Sequence, residues 1–256
     1  MAINAHVPRL FVLAGTNGAG KSSIGGATIR ARGGDYFNPD EAAARIRSEQ
    51  AHLSATQANS AAWHEGKRLL QHALAHGRDY NFETTLGGKS FAALLKEAAG
   101  KGYEVRIWYV GLASPEHHLA RVKARVKKGG HDIPEADIRR RFDQSRLQLI
   151  ELLPFLSELR VYDNSDEADP HQGQAPRPRL LLHWRQTGLG TGRHLALVLA
   201  PAAAQDLLTT PEWAKPVVMA ALKLQSEARP STAADTDIKQ DALTTGARPK
   251  RNRPAR

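Results

Sequence analysis

The 256-residue sequence predicts an α/β fold, in which a mostly parallel five-stranded sheet lies between layers of helices. Two observations predict it. Apolar runs of strand length alternate with segments of helical periodicity. The first run, residues 10–14, leads directly into GTNGAGKS at residues 15–22. That octapeptide matches the phosphate-binding loop G-x-x-x-x-G-K-[ST], which joins a strand to a helix in proteins of this class.

The remaining elements follow along the chain. Strands are predicted at residues 10–14, 36–37, 80–83, 103–112 and 159–164. Helices are predicted at residues 21–30, 39–46, 55–75, 90–99, 115–127 and 134–153. Asn38 is the expected cap of the second helix, with Pro39 at its first position. Two β-like runs at 180–186 and 194–200 predict a hairpin, and a short helix is predicted at 213–224.

Composition divides the chain into three parts. Residues 1–165 form the predicted P-loop core, with a helical lid around 114–141. Residues 166–225 begin as a polar, proline-rich linker, and the hairpin and short helix that follow are expected to pack on the core. Residues 226–256 contain almost no large apolar side chains, which predicts a disordered tail with a basic end.

Composition also limits the class of protein. The chain has no cysteine, no apolar run long enough to span a bilayer and no secretory signal pattern, so we expect a cytoplasmic location. Its net charge of +10 suits an anionic substrate or a polyanion, without selecting between them.

The glycine-rich loop predicts a nucleoside triphosphate site. Its glycines let the backbone turn N–H groups onto a phosphate, and the following helix adds its positive end. Lys21 is expected to reach the outer phosphates and Ser22 to ligate magnesium. We therefore expect ATP or GTP with Mg²⁺, bound by Gly15, Thr16, Asn17, Gly18, Ala19, Gly20, Lys21, Ser22 and Ser23.

Carboxylates follow two of the predicted strands, at the sheet edge where open α/β sheets bind ligands. Asp40 is the predicted catalytic base, and Glu83 with the following threonines suits substrate hydroxyls or the magnesium shell. Two alternatives stay open. Asp40 could simply complement the helix dipole, and Glu83 could belong to an ordinary turn.

The predicted lid is basic. Arg121 and Arg125 share one side of its first helix, which leads into the hinge KKGGH at 127–131. In the next helix Arg141 flanks the apolar stripe, so Arg125 and Arg141 are the predicted phosphate contacts. The alternative is a solvated basic face. The other histidines are not expected to bind metal, and neighbouring His117 and His118 point to different sides.

Taken together, the motifs resemble the zeta-toxin-like P-loop kinases. The resemblance spans roughly residues 9–165 and rests on GTNGAGKS, FNPDE, NFETTL, YEVRIWYVGL, RVKARVKKGGHDIPEADIRRRF and VYDNS, in that order. Zeta toxins phosphorylate a sugar hydroxyl of UDP-N-acetylglucosamine, and many are held by a small antitoxin. The resemblance therefore implies a nucleotide-sugar or other anionic small-molecule substrate, toxicity and an antitoxin partner.

The resemblance also implies roles for single residues. Lys21 and Ser22 match the nucleotide loop, Asp40 matches the catalytic base, and Glu83 and Thr85 match a substrate-binding Glu-x-Thr. Arg121 or Arg125 matches one transition-state arginine.

The sequence departs from the family pattern at two positions. Gly87 stands where the toxins carry an arginine. His131 stands where their second lid arginine is expected, unless Arg141 takes over that role.

Two other functions remain open at this stage. The chain could be a kinase that acts on another small molecule or on a nucleic-acid end, with the basic tail holding the polyanion. It could also be a P-loop ATPase without a phosphate acceptor. Nucleic acid is the less favoured partner, because aromatic residues are not interleaved with the basic tail.

Overall fold

The computed structural model describes residues 6–26, 29, 36–166, 177–187, 195–201 and 203–228, without the side chains of 195 and 204. Six strands form one sheet in the order β2-β1-β3-β4-β5-β6. They are β1 (Arg9–Ala14), β2 (Tyr80–Thr84), β3 (Glu104–Gly111), β4 (Glu158–Asp163), β5 (Arg179–Thr187) and β6 (Leu195–Ala200). The first four are parallel, and β5 and β6 are antiparallel to their neighbours. The predicted α/β class with a mostly parallel sheet is confirmed.

The helices are α1 (Ser22–Gly26), α2 (Pro39–Glu49), α3 (Ala55–His76), α4 (Lys89–Gly100), α5 (Pro115–Lys127), α6 (Glu135–Leu152), α7 (Ala204–Leu208) and α8 (Lys215–Glu227). The first is wound as a π-helix, where the sequence predicted an ordinary helix from residue 21 to 30. Of residues 27–30 of that prediction, only residue 29 is described.

One strand prediction is wrong, and another pair of strands lies in a place that was not predicted. The expected strand at 36–37 is a single bridge between Phe37 and Phe82, because the capped helix α2 starts at Pro39 and ends the extended backbone. The two strands predicted as a hairpin are present as the antiparallel pair β5 and β6, and β5 also pairs with β4, so they continue the sheet. Leu182 and Trp184 of β5 are fully buried, so this pairing extends the core and covers the edge of β4. Among the described residues the sheet therefore has six strands, where five were predicted.

One apolar core joins the sheet to the helices on one of its faces. Buried side chains from β1, β3 and β4 meet those of α3, α4, α6 and α8. The helix predicted at 213–224 instead begins at Lys215 and runs to Glu227, while Trp213 packs directly on Gly111 of β3. On the opposite face, α1 packs its Gly25 against Leu13. Helices thus lie on both faces, as predicted, and the three-part division of the chain stays a prediction.

The segment predicted as a lid contacts the residues that follow β1 and β4, through His118 to Asn17 and Arg121 to Asn164. Gly129 adopts a φ of +85° and closes α5, which few other residues do without strain. Leu119 and Val122 of α5 then pack with Ile133 and Ile138 in a small cluster of their own. This cluster fixes α5 and α6 relative to each other, and so positions the charged side chains that the two helices carry.

Within the residues that the structure describes, no helix has the length and apolar character needed to cross a bilayer.

Candidate active site

The GTNGAGKS loop connects β1 to α1 at the carboxyl edge of the sheet. Gly15, Gly18 and Gly20 have φ values of +137°, +83° and +89°, which L side chains rarely adopt. Space is also restricted. A Cβ at Gly15 would lie 2.1 Å from the carbonyl oxygen of Val110, and one at Gly20 would lie 2.6 Å from Nδ2 of Asn164. These glycines are therefore required by both conformation and packing.

Two buried side chains hold this loop from outside. Nδ1 of His118 donates to the carbonyl oxygen of Asn17 at 2.8 Å. Nδ2 of Asn164, just after β4, donates to the carbonyl oxygen of Ala19 at 2.9 Å. Arg121 in turn donates to the carbonyl oxygen of Asn164 at 2.7 Å. The lid helix and the end of β4 thus fix the loop backbone before any ligand binds.

His118 is suited to this role because it stays neutral. Its side chain is 1% exposed, and its ring packs edge-on against that of Phe142, with the ring centroids 5.7 Å apart. Burial lowers the pKa of His118 to about 4, against the opposing effect of its hydrogen bond to Asn17. This role of His118 was not predictable from the sequence, because a histidine pair on a helix gives no signal of which ring meets the loop.

Lys21 lies at the end of the loop among charges of both signs. Burial lowers its pKa, whereas the carboxylates of Glu83 and Asp40 oppose that shift and Arg125 and Arg141 add to it. A phosphate placed beside this ammonium would favour its charged form.

Asn38 links the loop to α2. Its Oδ1 accepts from the backbone N–H groups of Asp40 and Glu41 at 2.9 and 3.4 Å and so caps the helix. Its Nδ2 donates to Oγ of Ser22 at 3.4 Å and to the hydroxyl of Tyr36 at 3.3 Å. This buried amide therefore sets the position of Asp40 relative to the phosphate loop.

Asp40 pairs with the lid. Its Oδ2 accepts from Nη1 of Arg125 at 2.9 Å, while Nη2 of Arg125 donates to the carbonyl oxygen of His131 at 3.0 Å. The imidazole of His131 lies 2.6 Å from Nδ2 of Asn59 on α3. Nε of Arg125 is buried and has no acceptor among the described residues. Arg125 thus holds the Asp40 carboxylate and the carbonyl of His131 at the same time.

Arg141 reaches the loop from α6. Its Nη1 donates to Oδ1 of Asn17 at 2.8 Å, and its Nη2 lies 3.5 Å from Asp137. The aliphatic part of Arg141 passes beside Gly87, where an added Cβ would lie 2.7 Å from Cγ of Arg141. The space beside Gly87, where the family pattern has an arginine, is therefore occupied by the stem of Arg141 from α6.

The turn after β2 holds a strained residue. Leu86 has a φ of +52°, and its backbone N–H donates to Oγ1 of Thr84 at 3.0 Å. Its side chain is 1% exposed in the core, so burial offsets the strain. This turn places Thr85 and Gly87 at the rim of a cavity.

That cavity has a volume of about 560 Å³, within the range of small-molecule sites. Six of the predicted site residues line it: Asn17, Asp40, Glu83, Thr85, His131 and Arg141. Arg121 and Arg125 line a second groove, together with Lys128 and the two glycines that follow it. The predicted residues therefore come together around one end of the sheet, and their roles remain predictions.

Several residues of this site were not predicted. Asn164 was noted only as the end of a strand, and neither Asn59 nor Trp63 was singled out, although both line the cavity. Asn164 could have been predicted from the sequence, because a buried strand that ends in Asp163-Asn164 meets the same sheet edge as the loop.

Magnesium fits the donors that are present. The described residues hold no group of three or more His, Asp or Glu side chains able to bind a metal. Mg²⁺ needs few protein ligands, because it binds mainly through substrate phosphates and water. The hydroxyl of Ser22 at the loop and the carboxylates of Asp40 and Glu83 around Lys21 are suitable oxygen donors.

These features define the class of the protein. A glycine-rich loop between a buried strand and a helix, at the carboxyl edge of a mostly parallel sheet, is the architecture of P-loop phosphotransferases. The chain therefore has the P-loop fold of that class. It belongs to the zeta toxin family, whose sequence model matches residues 3–174, and the resemblance seen in the sequence is thereby confirmed.

The chain is also similar to a curated relative and to solved structures. An uncharacterized protein of Haemophilus influenzae is 33% identical over 132 residues, which are 50% of this chain and 88% of that protein. The AvrRxo1-ORF1:AvrRxo1-ORF2 complex with ATP matches with a TM-score of 0.56 at 16% identity, covering 82% of this chain and 65% of that one. The same complex solved with sulphate ions matches with a TM-score of 0.55 at 15% identity, covering 82% of this chain and 66% of that one. This chain thus spans just under two thirds of the AvrRxo1 chain, and this likeness shows the fold.

Proposed function

We propose that this protein transfers the γ-phosphoryl group of ATP to a hydroxyl of a small-molecule acceptor. One observation carries the proposal. The cavity that opens beside the phosphate loop is lined by Asn17 of that loop, by Asp40 and by Arg141. A loop for the donor, a carboxylate for the acceptor hydroxyl and a cation for the moving phosphoryl group thus share one space.

ATP is the proposed donor. The zeta toxin family model covers the loop, and the AvrRxo1 complex, which shares the fold, was solved with ATP. The loop backbone is fixed by His118 and Asn164 without a ligand, so little reorganisation is needed when phosphate binds.

The proposed chemistry needs one proton acceptor and several cations. The acceptor oxygen forms a bond to the γ-phosphorus while the bond to the β-phosphate oxygen breaks, and ADP leaves. Asp40 takes the proton of the acceptor hydroxyl. Lys21, Arg125 and Arg141 offset the negative charge of the phosphoryl group as it moves, and Mg²⁺, held by Ser22 with a nearby carboxylate, would neutralise phosphate charge when bound.

In this proposal Arg125 also controls the orientation of Asp40. Its pairing with Asp40 at 2.9 Å orients the carboxylate and occupies the guanidinium. An entering triphosphate competes for that guanidinium, and a shift of Arg125 onto phosphate would release Asp40 toward the acceptor hydroxyl. Arg121, bound to the backbone after β4, is proposed to support the same region and not to contact the acceptor.

The acceptor that the family resemblance suggests is a nucleotide sugar such as UDP-N-acetylglucosamine, with Glu83, Thr85 and His131 as its contacts. The family is named for a toxin, and the AvrRxo1 chain was solved as a complex of two open reading frames. We accordingly include toxicity and a small antitoxin partner in the proposal.

The test is direct. Purified protein is incubated with γ-labelled ATP and a panel of nucleotide sugars, sugars, nucleosides and oligonucleotides, and labelled products are separated. Transfer to a small molecule supports the proposal. Release of labelled phosphate without any labelled acceptor would instead indicate an ATPase, and labelling of oligonucleotide ends alone would indicate a nucleic-acid kinase.

A further inference from the structure

The carboxylate of Glu83 is held by a tyrosine that is not part of the cavity lining. Glu83 lies near the end of β2, is 7% exposed and lines the cavity together with Asp40. The hydroxyl of Tyr36 donates to Oε1 of Glu83 at 2.8 Å. A hydroxyl that donates to an ionised carboxylate makes one of the stronger hydrogen bonds in proteins. This bond therefore restricts the rotation of a side chain that the acceptor is expected to meet.

Backbone bonds and packing fix Tyr36 in turn. The next residue, Phe37, donates its N–H to the carbonyl oxygen of Asn81 and accepts from the N–H of Glu83, both at 2.9 Å. The hydroxyl of Tyr36 lies over Gly26 of α1, where an added Cβ would be 2.5 Å from that oxygen. Tyr36 thus reaches Glu83 from a segment bound to β2, across a position where a side chain would obstruct it.

The same hydroxyl also faces the nucleotide side of the site. It accepts from Nδ2 of Asn38 at 3.3 Å, and that nitrogen donates to Oγ of Ser22 at 3.4 Å. Ser22 is the proposed magnesium ligand, so Tyr36 lies between the donor half and the acceptor half of the site. The two bonds of Asn38 are long, whereas the bond to Glu83 is short. Loss of the hydroxyl should therefore disturb Glu83 more than the phosphate loop.

We propose that Tyr36 is a positioning residue for the acceptor and acts through Glu83. Its hydroxyl holds Oε1 of Glu83, so the carboxylate presents one fixed arrangement to a hydroxyl of the acceptor. Such preorganisation lowers the cost of ordering the carboxylate when the acceptor binds. The inference rests on the proposed kinase function and names a residue that determines acceptor affinity at the same site.

Tyr36→Phe removes the hydroxyl and keeps the ring beside Gly26. Transfer from γ-labelled ATP is measured with UDP-N-acetylglucosamine or, where that compound is not labelled, with the acceptor of the panel that has the highest kcat/KM. We expect the acceptor KM to rise about tenfold, the order expected for one hydrogen bond to a charged group, with kcat reduced about threefold or less. The dissociation constant for ATP, from calorimetric titration, should be unchanged, because the loop keeps its contacts with His118 and Asn164.

Tyr80→Phe is the matched control. The hydroxyl oxygen of Tyr80, on β2, is buried and has no hydrogen-bond partner among the described residues. Its removal should therefore leave both constants unchanged. Circular dichroism and the melting temperature check that each variant is folded. A purely structural role for Tyr36 would lower the melting temperature and weaken the binding of ATP and of the acceptor alike.

A double-mutant cycle tests whether Tyr36 acts through Glu83. Glu83→Ala removes the carboxylate, so adding Tyr36→Phe should then weaken acceptor binding by less than about twofold. The dissociation constant of the acceptor is measured by calorimetric titration, so the cycle does not depend on turnover.

The outcomes separate the two proposals. An acceptor KM that Tyr36→Phe leaves unchanged, an equal loss of ATP binding, or a full additional loss in the Glu83→Ala background overturns the inference and leaves the kinase standing. If the wild-type protein binds ATP but labels no acceptor of the panel, both the inference and the proposed function fail.

Discussion

Arg141 occupies the space beside Gly87 that a side chain at position 87 would need. An ideal Cβ there would lie 2.7 Å from Cγ and 3.3 Å from Cβ of Arg141. Because of this gap, Arg141 can cross from α6 to Oδ1 of Asn17 in the phosphate loop at 2.8 Å. The lack of a side chain at Gly87 thus leaves the space through which Arg141 reaches the phosphate loop.

Gly87→Ala should therefore act through Arg141. The methyl group pushes the arginine stem aside, so the guanidinium leaves the loop, and we expect kcat/KM for phosphoryl transfer to fall about tenfold, since small displacements of positioned groups have effects of this order. The melting temperature should also fall, because the obstructing atoms are Cβ and Cγ of Arg141, which lie next to the α6 backbone. Gly88→Ala is the matched control, since no atom lies within 4 Å of its added Cβ.

A double-mutant cycle checks the mechanism. If Gly87→Ala acts by displacing Arg141, then combining it with Arg141→Ala should add little to the loss caused by Arg141→Ala alone. Additive losses would mean that the methyl group harms the site in another way.

Lys21→Ala should abolish ATP-dependent activity and leave the fold intact. The ammonium is expected to stabilise charge on the phosphates, so we expect kcat to fall about 10²-fold or more. Turnover, circular dichroism and urea unfolding measure the two effects. Lys89→Ala, an exposed lysine at the start of α4, is the control and should behave as the wild type. Near-normal turnover of Lys21→Ala would contradict the assignment of the loop.

Asp40→Asn should separate binding from chemistry. The amide keeps the shape of the side chain but cannot accept the acceptor proton, so transfer should fall about 10²-fold or more while ATP still binds. Calorimetric titration of ATP and single-turnover transfer give the two quantities, with Glu49→Gln as the control on the same helix. If Asn supports transfer at the wild-type rate, the base lies elsewhere and Glu83 is the next candidate.

The sequence predicted the parts of this site that local chemistry determines. The loop, the strand before it and the Asn38 cap all follow from rules that act over a few residues. It did not predict that β5 joins the sheet, because strand pairing depends on which edge is left open. It also did not predict the role of His118, because that role depends on a contact with Asn17, which lies 101 positions earlier in the sequence.

Removal of residues 229–256 tests the basic tail. Five basic residues lie between positions 248 and 256 without an acidic one, so any affinity for nucleic acid should fall and lose salt dependence on truncation. Turnover of a small-molecule acceptor should be unchanged, because the cavity is formed by residues 17–141. Filter binding in increasing salt and the transfer assay measure the two effects. Loss of turnover, together with activity on oligonucleotides alone, would favour the nucleic-acid kinase.

His118 should make stability depend on pH. Its pKa is about 4 in the folded chain, below the ordinary value of 6.5, because the buried ring loses water that would solvate its charge. As pH falls below 6.5 the unfolded chain takes up a proton that the folded chain does not. The stabilisation is therefore complete above pH 6.5 and is lost progressively as pH falls through 4. At pH 5 the loss should be about 2 kcal/mol relative to pH 7.5.

His118→Phe isolates this effect. The variant keeps a ring against Phe142 and loses the hydrogen bond to Asn17, so it should be less stable than the wild type at pH 7.5 by about 1 kcal/mol or more. Between pH 7.5 and 5 it should lose about 2 kcal/mol less than the wild type, as measured by urea unfolding at both values. His52→Gln, an exposed histidine, is the control and should keep the wild-type pH dependence. Equal losses in His118→Phe and the wild type would show that another group carries the pH dependence.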